Sequence, residues 1–341
     1  MSSRFTNHDR GCPRMRGRIA SSRGFTLIEL MIAMLLGLIV IGGVISVFLA
    51  NQQTYRTSKA LGEVQDGSRL AVEMLAHDIR NAQLTGCNNN NRFTNVLKNS
   101  PGNGGTTWWA NWNNAISGYT TGMTDTAAPT GQVANTDSIQ LLGVADTSMS
   151  VQTHTPTTLS FTLNGSASDL QGGDVVMVCD PDHATLLKIT SYDATSKTIV
   201  YDATNNCSTG LGYPGVCVAS GNPYTFGPNA QIAKLTAVDW YIGSYTAKDG
   251  STGTSLYRLT VGNNGGTTAQ EMVRGVTGLT ITYLASGATS FVAPTASTNW
   301  AAITAVQVQL TLQSTDNLAG SNAKPLARTI NTTVTLRNRV N

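Results

Sequence analysis

Residues 18–50 read RIASSRGFTLIELMIAMLLGLIVIGGVISVFLA: an arginine-bearing lead, a glycine at position 24, then 26 residues (25–50) that carry one charge, Glu29. The 21 residues from 30 to 50 are uncharged, which makes about 31 Å of helix at about 1.5 Å per residue, enough to span a bilayer. A carboxylate in hydrocarbon costs roughly 2.5 to 3.5 kcal/mol even on lenient insertion scales, so Glu29 should persist only where it has a partner or a job. Six arginines (Arg4, Arg10, Arg14, Arg16, Arg18 and Arg23) precede the span. By the positive-inside rule they hold the N-terminus in the cytoplasm and send the remainder across the membrane.

Gly24, Phe25, Thr26, Leu27, Ile28, Glu29 and Leu30 spell GFTLIEL, which resembles the processing signal of type IV pilins and type II secretion pseudopilins. The resemblance implies that a membrane-embedded prepilin peptidase cuts between Gly24 and Phe25 and N-methylates Phe25. An ordinary secretory signal loses its apolar stretch, whereas here that stretch stays on the mature chain. The resemblance further implies that Glu29 neutralises the Phe25 amine of a neighbouring subunit during assembly. Opposite charges attract strongly in low dielectric, and each removes the other's desolvation problem. A local role is open beside this one: Thr26 and Glu29 have the spacing of a capping box. A plain signal-anchor helix is the blander alternative, but it has no need of Glu29.

The formal charge of +3 belongs to the leader: without its six Arg and one Asp, 16 basic and 18 acidic residues remain. Nothing in this balance argues for nucleic acid by bulk electrostatics. Charged residues make up 12% of the chain, about half the usual globular share of roughly 25%, so the surface is neutral and rich in Thr, Asn, Ser and Gly. Cys12 lies in the leader. Cys87, Cys179, Cys207 and Cys217 form an even set in a compartment expected to be oxidising, so two disulfides are the natural reading, with four free thiols as the alternative. Of the three pairings, Cys207 with Cys217 closes a short loop and Cys87 with Cys179 ties the end of the helix to a sheet; these two are expected.

No proline interrupts residues 25–84, and Leu61, Val64, Ser68, Ala71, Leu75, Ile79 and Ala82 recur every three or four positions, predicting one helix of roughly 60 residues. Its first half, 25–50, is membrane or filament core; its second, 51–84, packs into a globular domain, with Gly86 as the stop. Gly42 and Ser46 form a small-xxx-small pair suited to close helix contact, or reflect the frequency of glycine in membrane helices. His77 and Asp78 point about 100° apart and read as ordinary polar surface. Residues 88–135 are irregular; Trp108, Trp109 and Trp112 within them are expected to fold inward rather than form an exposed contact surface.

From Asp137 onward, β-branched runs bounded by Gly, Asp or Pro predict strands at 138–144, 158–163, 174–180, 185–190, 197–203, 233–243, 255–261, 279–285, 303–314 and 329–339. VQVQLTL alternates apolar and polar side chains, as a strand with one buried face does. The fold class is therefore α+β: a long N-terminal helix followed by a mostly antiparallel sheet domain over 85–341, with a candidate sub-boundary near 225. The run from 70 to 87, with its helix leading into a cysteine, resembles PilW-type minor pilins. The last strands resemble the C-terminal sheet of that group and of J-type minor pseudopilins.

No catalytic constellation is found. GLGYPG (210–215) satisfies GxGxxG but lacks the strand, turn and helix that a dinucleotide requires. CDPDH (179–183) reads as an Asp-Pro turn rather than a cation site, and no CxxC or CxxH spacing points to zinc. No cofactor, metal or enzymatic activity is expected. The resemblance implies a minor pilin acting in initiation or at the tip of a type IV pilus, anchored in the bacterial inner membrane with its C-terminal domain in the periplasm. The implied partners are the prepilin peptidase, other minor and major pilins, and the inner-membrane assembly platform. A minor pseudopilin of a type II secretion system and a tip adhesin using the three tryptophans are the alternatives.

Overall fold

The computed structural model describes residues 24–87, 92–145, 149–320, 324–337 and 339. The arginine-rich lead before Gly24, with Cys12, lies outside the described residues. The chain divides after Tyr55 into two compact units, the second being Arg56–Asn341.

Helix α1 runs Leu27–Asn81. Beyond Tyr55 it turns one stripe inward: Ala60, Val64, Ser68, Ala71, Leu75, Ala76 and Ile79 are buried. The expected stripe shifts at its start, because Leu61 is 47% exposed and Ala60 is the buried member. Leu61 lies about 60° round the helix from Val64, on the flank of the stripe. The small residues let the sheet approach closely; a Cβ on Gly67 would stand 3.3 Å from Val273. The helix stops at Asn81 rather than running on to Gly86. A Cβ on Gly143 would meet the Asn81 carbonyl at 2.8 Å, so strand backbone blocks the next turn. Gln83 takes a left-handed φ of 62° there and donates its N–H to the Leu142 carbonyl at 2.6 Å.

The strands are β1 (Phe93–Asn95), β2 (Ile116–Tyr119), β3 (Ser138–Val144), β4 (Met149–Thr155), β5 (Ser160–Leu163), β6 (Val175–Cys179) and β7 (Ala184–Asp193). They continue with β8 (Thr198–Tyr201), β9 (Gln231–Thr246), β10 (Thr252–Val261), β11 (Thr267–Arg274), β12 (Val276–Ala285), β13 (Ile303–Gln313) and β14 (Ala327–Thr335). Strands β12, β13 and β14 form their own three-stranded antiparallel sheet, and the other eleven form a second. Only β1 with β7 is parallel among the described pairings. Strand β9 carries the larger sheet across residue 225: its first residues pair with β4 and β6, and its later ones with β3 and β10.

Alternation along β9 and β13 builds the core. Val238, Trp240 and Ile242 face α1 in one cluster with Leu75, Ile79, Val306, Val308 and Leu310, while Leu235 and Ala237 face a different cluster. That second cluster holds the aromatic loop. Trp112 is buried and stacks on Phe93 at 5.5 Å between centroids, with Trp108 and Trp109 partly buried beside it, so the tryptophans fold inward. Strands β1, β2, β4 and β11 carry no clear sequence signal. Strand β11 is mostly exposed, β1 is three residues in an Asn-rich stretch, and β2 contains Gly118, whose missing Cβ makes room for the Tyr283 ring.

Asp78 departs from its expected surface role. His77 points outward, but the turn of about 100° that separates them aims Asp78 at the sheet. There its Oδ2 accepts the Trp240 indole N–H at 2.9 Å and the Arg258 Nε–H at 2.8 Å. Leu75→Ala should destabilise the unit by about 2 to 5 kcal/mol, since that side chain is fully buried, whereas Leu61→Ala should change it by less than about 0.5 kcal/mol. Urea unfolding of the two variants measures the contrast.

Candidate functional site

The head of α1 is built by its own sequence. Gly24, Phe25 and Thr26 precede the helix, and Thr26 caps it: the Glu29 N–H donates to Thr26 Oγ1 at 3.3 Å. Glu29 Oε2 in return accepts the Thr26 N–H at 3.1 Å and its hydroxyl at 3.0 Å. This reciprocal arrangement satisfies two orphan donors of the first turn, and the carboxylate also sits at the positive end of the helix dipole. All of these bonds fall on Oε2, leaving Oε1 without a partner among the described residues.

Around this cap the apolar surface is uncovered. Every residue from 24 to 50 is exposed, Phe25 at 87%. The helix is long and apolar enough to cross a membrane, and none of its most apolar window is buried. Ideal Cβ atoms on Gly37, Gly42 and Gly43 would meet nothing within 4 Å, so no contact within the chain requires glycine at these positions. The apolar half of α1 thus presents a water-averse surface, small residues for close approach, and one acid at its head. A bilayer and a bundle of like helices both suit such a surface.

The remaining sequence candidates serve structure. Cys87 is bonded to Cys179 and Cys207 to Cys217. The first bridge ties the segment leaving α1 to the end of β6, and the second pins a loop. In CDPDH, Asp180 Oδ1 accepts the N–H groups of Asp182 and His183 at 3.0 and 2.8 Å, and Asp180 Oδ2 accepts the Tyr224 hydroxyl at 2.8 Å. Asp182 pairs with Arg92 at 2.7 Å. His183 stacks on Tyr224 at 4.3 Å, and burial lowers its pKa. Among the described residues no group of three or more His, Cys, Asp or Glu could hold a metal ion. The glycines of GLGYPG serve packing, since a Cβ on Gly210 would stand 2.4 Å from the Ser220 carbonyl.

The family models match at the two ends of this architecture. Residues 19–45 match the prokaryotic N-terminal methylation motif, and residues 244–339 match type IV pilus-assembly protein W. No curated protein matches the chain. The first match covers the capped head and most of the exposed apolar helix, and the second covers the strands from the end of β9 to β14, including the sheet that closes over the inward stripe of α1. A single helix suited to membrane anchoring, headed by a methylation motif and leading into a sheet domain that matches a pilus-assembly protein, supports a PilW-type minor pilin of type IV pilus assembly.

Proposed function

We propose that the chain is processed between Gly24 and Phe25 by a prepilin peptidase, that the new Phe25 amine is methylated, and that Glu29 then meets the Phe25 amine of a neighbouring pilin. The observation that carries this reading is the free Oε1 of Glu29 at the head of a wholly exposed apolar helix. The capping box accounts for one carboxylate oxygen and leaves the charge uncompensated. In hydrocarbon that charge costs roughly 2.5 to 3.5 kcal/mol, which an opposed ammonium would offset.

In this reading residues 1–24 are the leader, 25–50 the membrane and assembly helix, 51–84 its amphipathic continuation, and 85–341 the periplasmic domain. Six arginines before the span favour a cytoplasmic N-terminus. The helix moves from lipid into a bundle of similar helices. Leaving lipid for apolar neighbours changes little in burial, so the charge pair sets the register. The partners are other minor and major pilins and the inner-membrane platform, and the protein works by assembly, in initiation or at the tip, rather than by catalysis.

Mass spectrometry of the protein from cells should find an N-terminal methylated Phe25; an unmethylated terminus, or one that retains the arginines, overturns the processing step. Glu29→Ala should leave membrane insertion intact and lower incorporation into pili at least about tenfold, the effect of losing a pair worth about 1.5 kcal/mol or more. Glu29→Gln separates the two roles of this side chain, because glutamine keeps the capping box but not the charge. Loss of assembly in Glu29→Gln supports the intersubunit pair. Wild-type piliation in that variant means the residue serves only its own helix.

A further inference from the structure

Asp239, in the middle of β9, is fully buried, and neither of its carboxylate oxygens has a hydrogen-bond donor. Its strand neighbours are Gln140 of β3 and Leu259 of β10. Gln140 leads to a second acid: its Nε2 donates to Asp125 Oδ1 at 2.6 Å. Asp125 also accepts the Ala127 N–H at 2.8 Å and a short hydrogen bond from the Ser138 hydroxyl. Asp125 is close enough to act on Asp239 through its charge and its side chain, so two buried carboxyl groups are neighbours, one held by three donors and the other by none.

Among the described residues the surroundings offer no countercharge. The groups that act on Asp239, or that it acts on, are Asp125, Tyr119, Tyr241 and Tyr283, with no Lys, Arg or His among them. An isolated buried carboxylate costs several kcal/mol and neutralises instead of staying charged. A metal ion fits poorly: calcium takes about six to eight oxygens, and the oxygens of Asp125 already face N–H and O–H donors. A neutral acid fits better, because its O–H supplies the one donor that a carboxylate neighbour can use, as in pairs of carboxyls that hold one proton between them.

We propose that Asp239 and Asp125 share a single proton, carried on Asp239, and that this proton latches the 120–131 segment to β3 and β9. The proton is placed on Asp239 because three donors already face Asp125 and none faces Asp239. If both groups were ionised, they would repel across a water-poor gap, and the segment bearing Asp125 would be the side able to leave.

The pH dependence follows in sign. Burial first, and then the charge of Asp125, push Asp239 well above the ordinary carboxylate range. Above that ordinary range the unfolded chain has released a proton that the folded chain keeps. The contribution of Asp239 to stability is therefore greatest in acid and declines as pH rises toward the folded value, by up to about tenfold in the folding equilibrium per pH unit for one proton.

The test uses the full chain in detergent micelles, with urea midpoints measured from about pH 5 to about pH 9 and infrared spectra across the same range. Relative to Asp239→Asn, wild type should lose stability with rising pH, the opposite slope of the buried His154 and His183 being common to both proteins, and it should show the carbonyl stretch of a neutral carboxylic acid. Asp239→Asn, whose amide can donate to Asp125, should remove that band, flatten the pH slope and be the more stable protein at the alkaline end. Amide exchange at Ala127 and Ala128 should accelerate with pH in wild type beyond its intrinsic base dependence, and not in Asp239→Asn. Absence of a neutral-acid band in wild type overturns the proposal, as does an unchanged slope in the variant. A wild-type midpoint that rises with calcium, falls with chelator and becomes insensitive to both in Asp239→Asn overturns it in favour of a cation. Should Asp239→Asn not fold, the wild-type infrared titration decides: a band lost over the range where the midpoint falls supports the shared proton, and no band refutes it.

Discussion

Burial of the Ala60 to Ile79 stripe of α1 against the sheets is the contact on which the rest of the second unit depends, because it draws side chains from both sheets into one core. Trp240 and Ile242 of the larger sheet and Val306, Val308 and Leu310 of the smaller one meet the helix in the same cluster. Neither sheet covers its apolar face alone. The stripe is made largely of small residues, and that choice decides how closely the helix can lie: a Cβ at Gly67 would already touch Val273. The same helix has no such stripe before Tyr55, where all residues from 24 to 50 are exposed and almost all are apolar. One continuous element therefore serves two environments, and the change in its pattern marks where one ends and the other begins.

The elements with strong periodicity were legible from the sequence, and those made by tertiary contact were not. Strand β3 falls where SIQLLGV predicts it, and the alternation of VQVQLTL is the alternation of buried and polar positions on β13. The end of α1 was misread because the stop is imposed by β3 backbone at Asn81, and nothing in Asn81 to Gln83 announces a neighbour so distant in sequence. Strand β11 escaped notice because an exposed edge strand needs no apolar alternation. Helical geometry alone puts Asp78 on the surface, about 100° from His77, and that geometry is sound. What it lacked was the pair of donors, Trp240 and Arg258, that β9 and β10 bring from more than 160 positions away.

At the head of α1 the sequence was more informative, since a capping box is local. Thr26 and Glu29 lie three residues apart, and the hydrogen bonds they exchange need no other part of the fold. The box fixes the carboxylate through Oε2 and aims it along the first turn, which would lower the entropy lost if Oε1 met a donor in the proposed assembly. In that proposal a local cap and an intersubunit pair are successive uses of one group rather than competing accounts of it.

Two carboxylates, the partly buried Asp78 and the fully buried Asp239, show how the sheet treats charge on its opposite faces. Adjacent residues on β9 point to opposite sides, so Trp240 reaches α1 while Asp239 turns toward the 120–131 segment. On the helix side Asp78 receives an indole N–H and a guanidinium. On the far side Asp239 receives nothing and has another acid for company. The donors that Asp78 has and Asp239 lacks are the difference that the proposed shared proton makes good. A charge that has a cation beside it adds specificity to the helix contact, whereas one that lacks a cation is retained only as the neutral acid, and its contribution to stability becomes a function of pH.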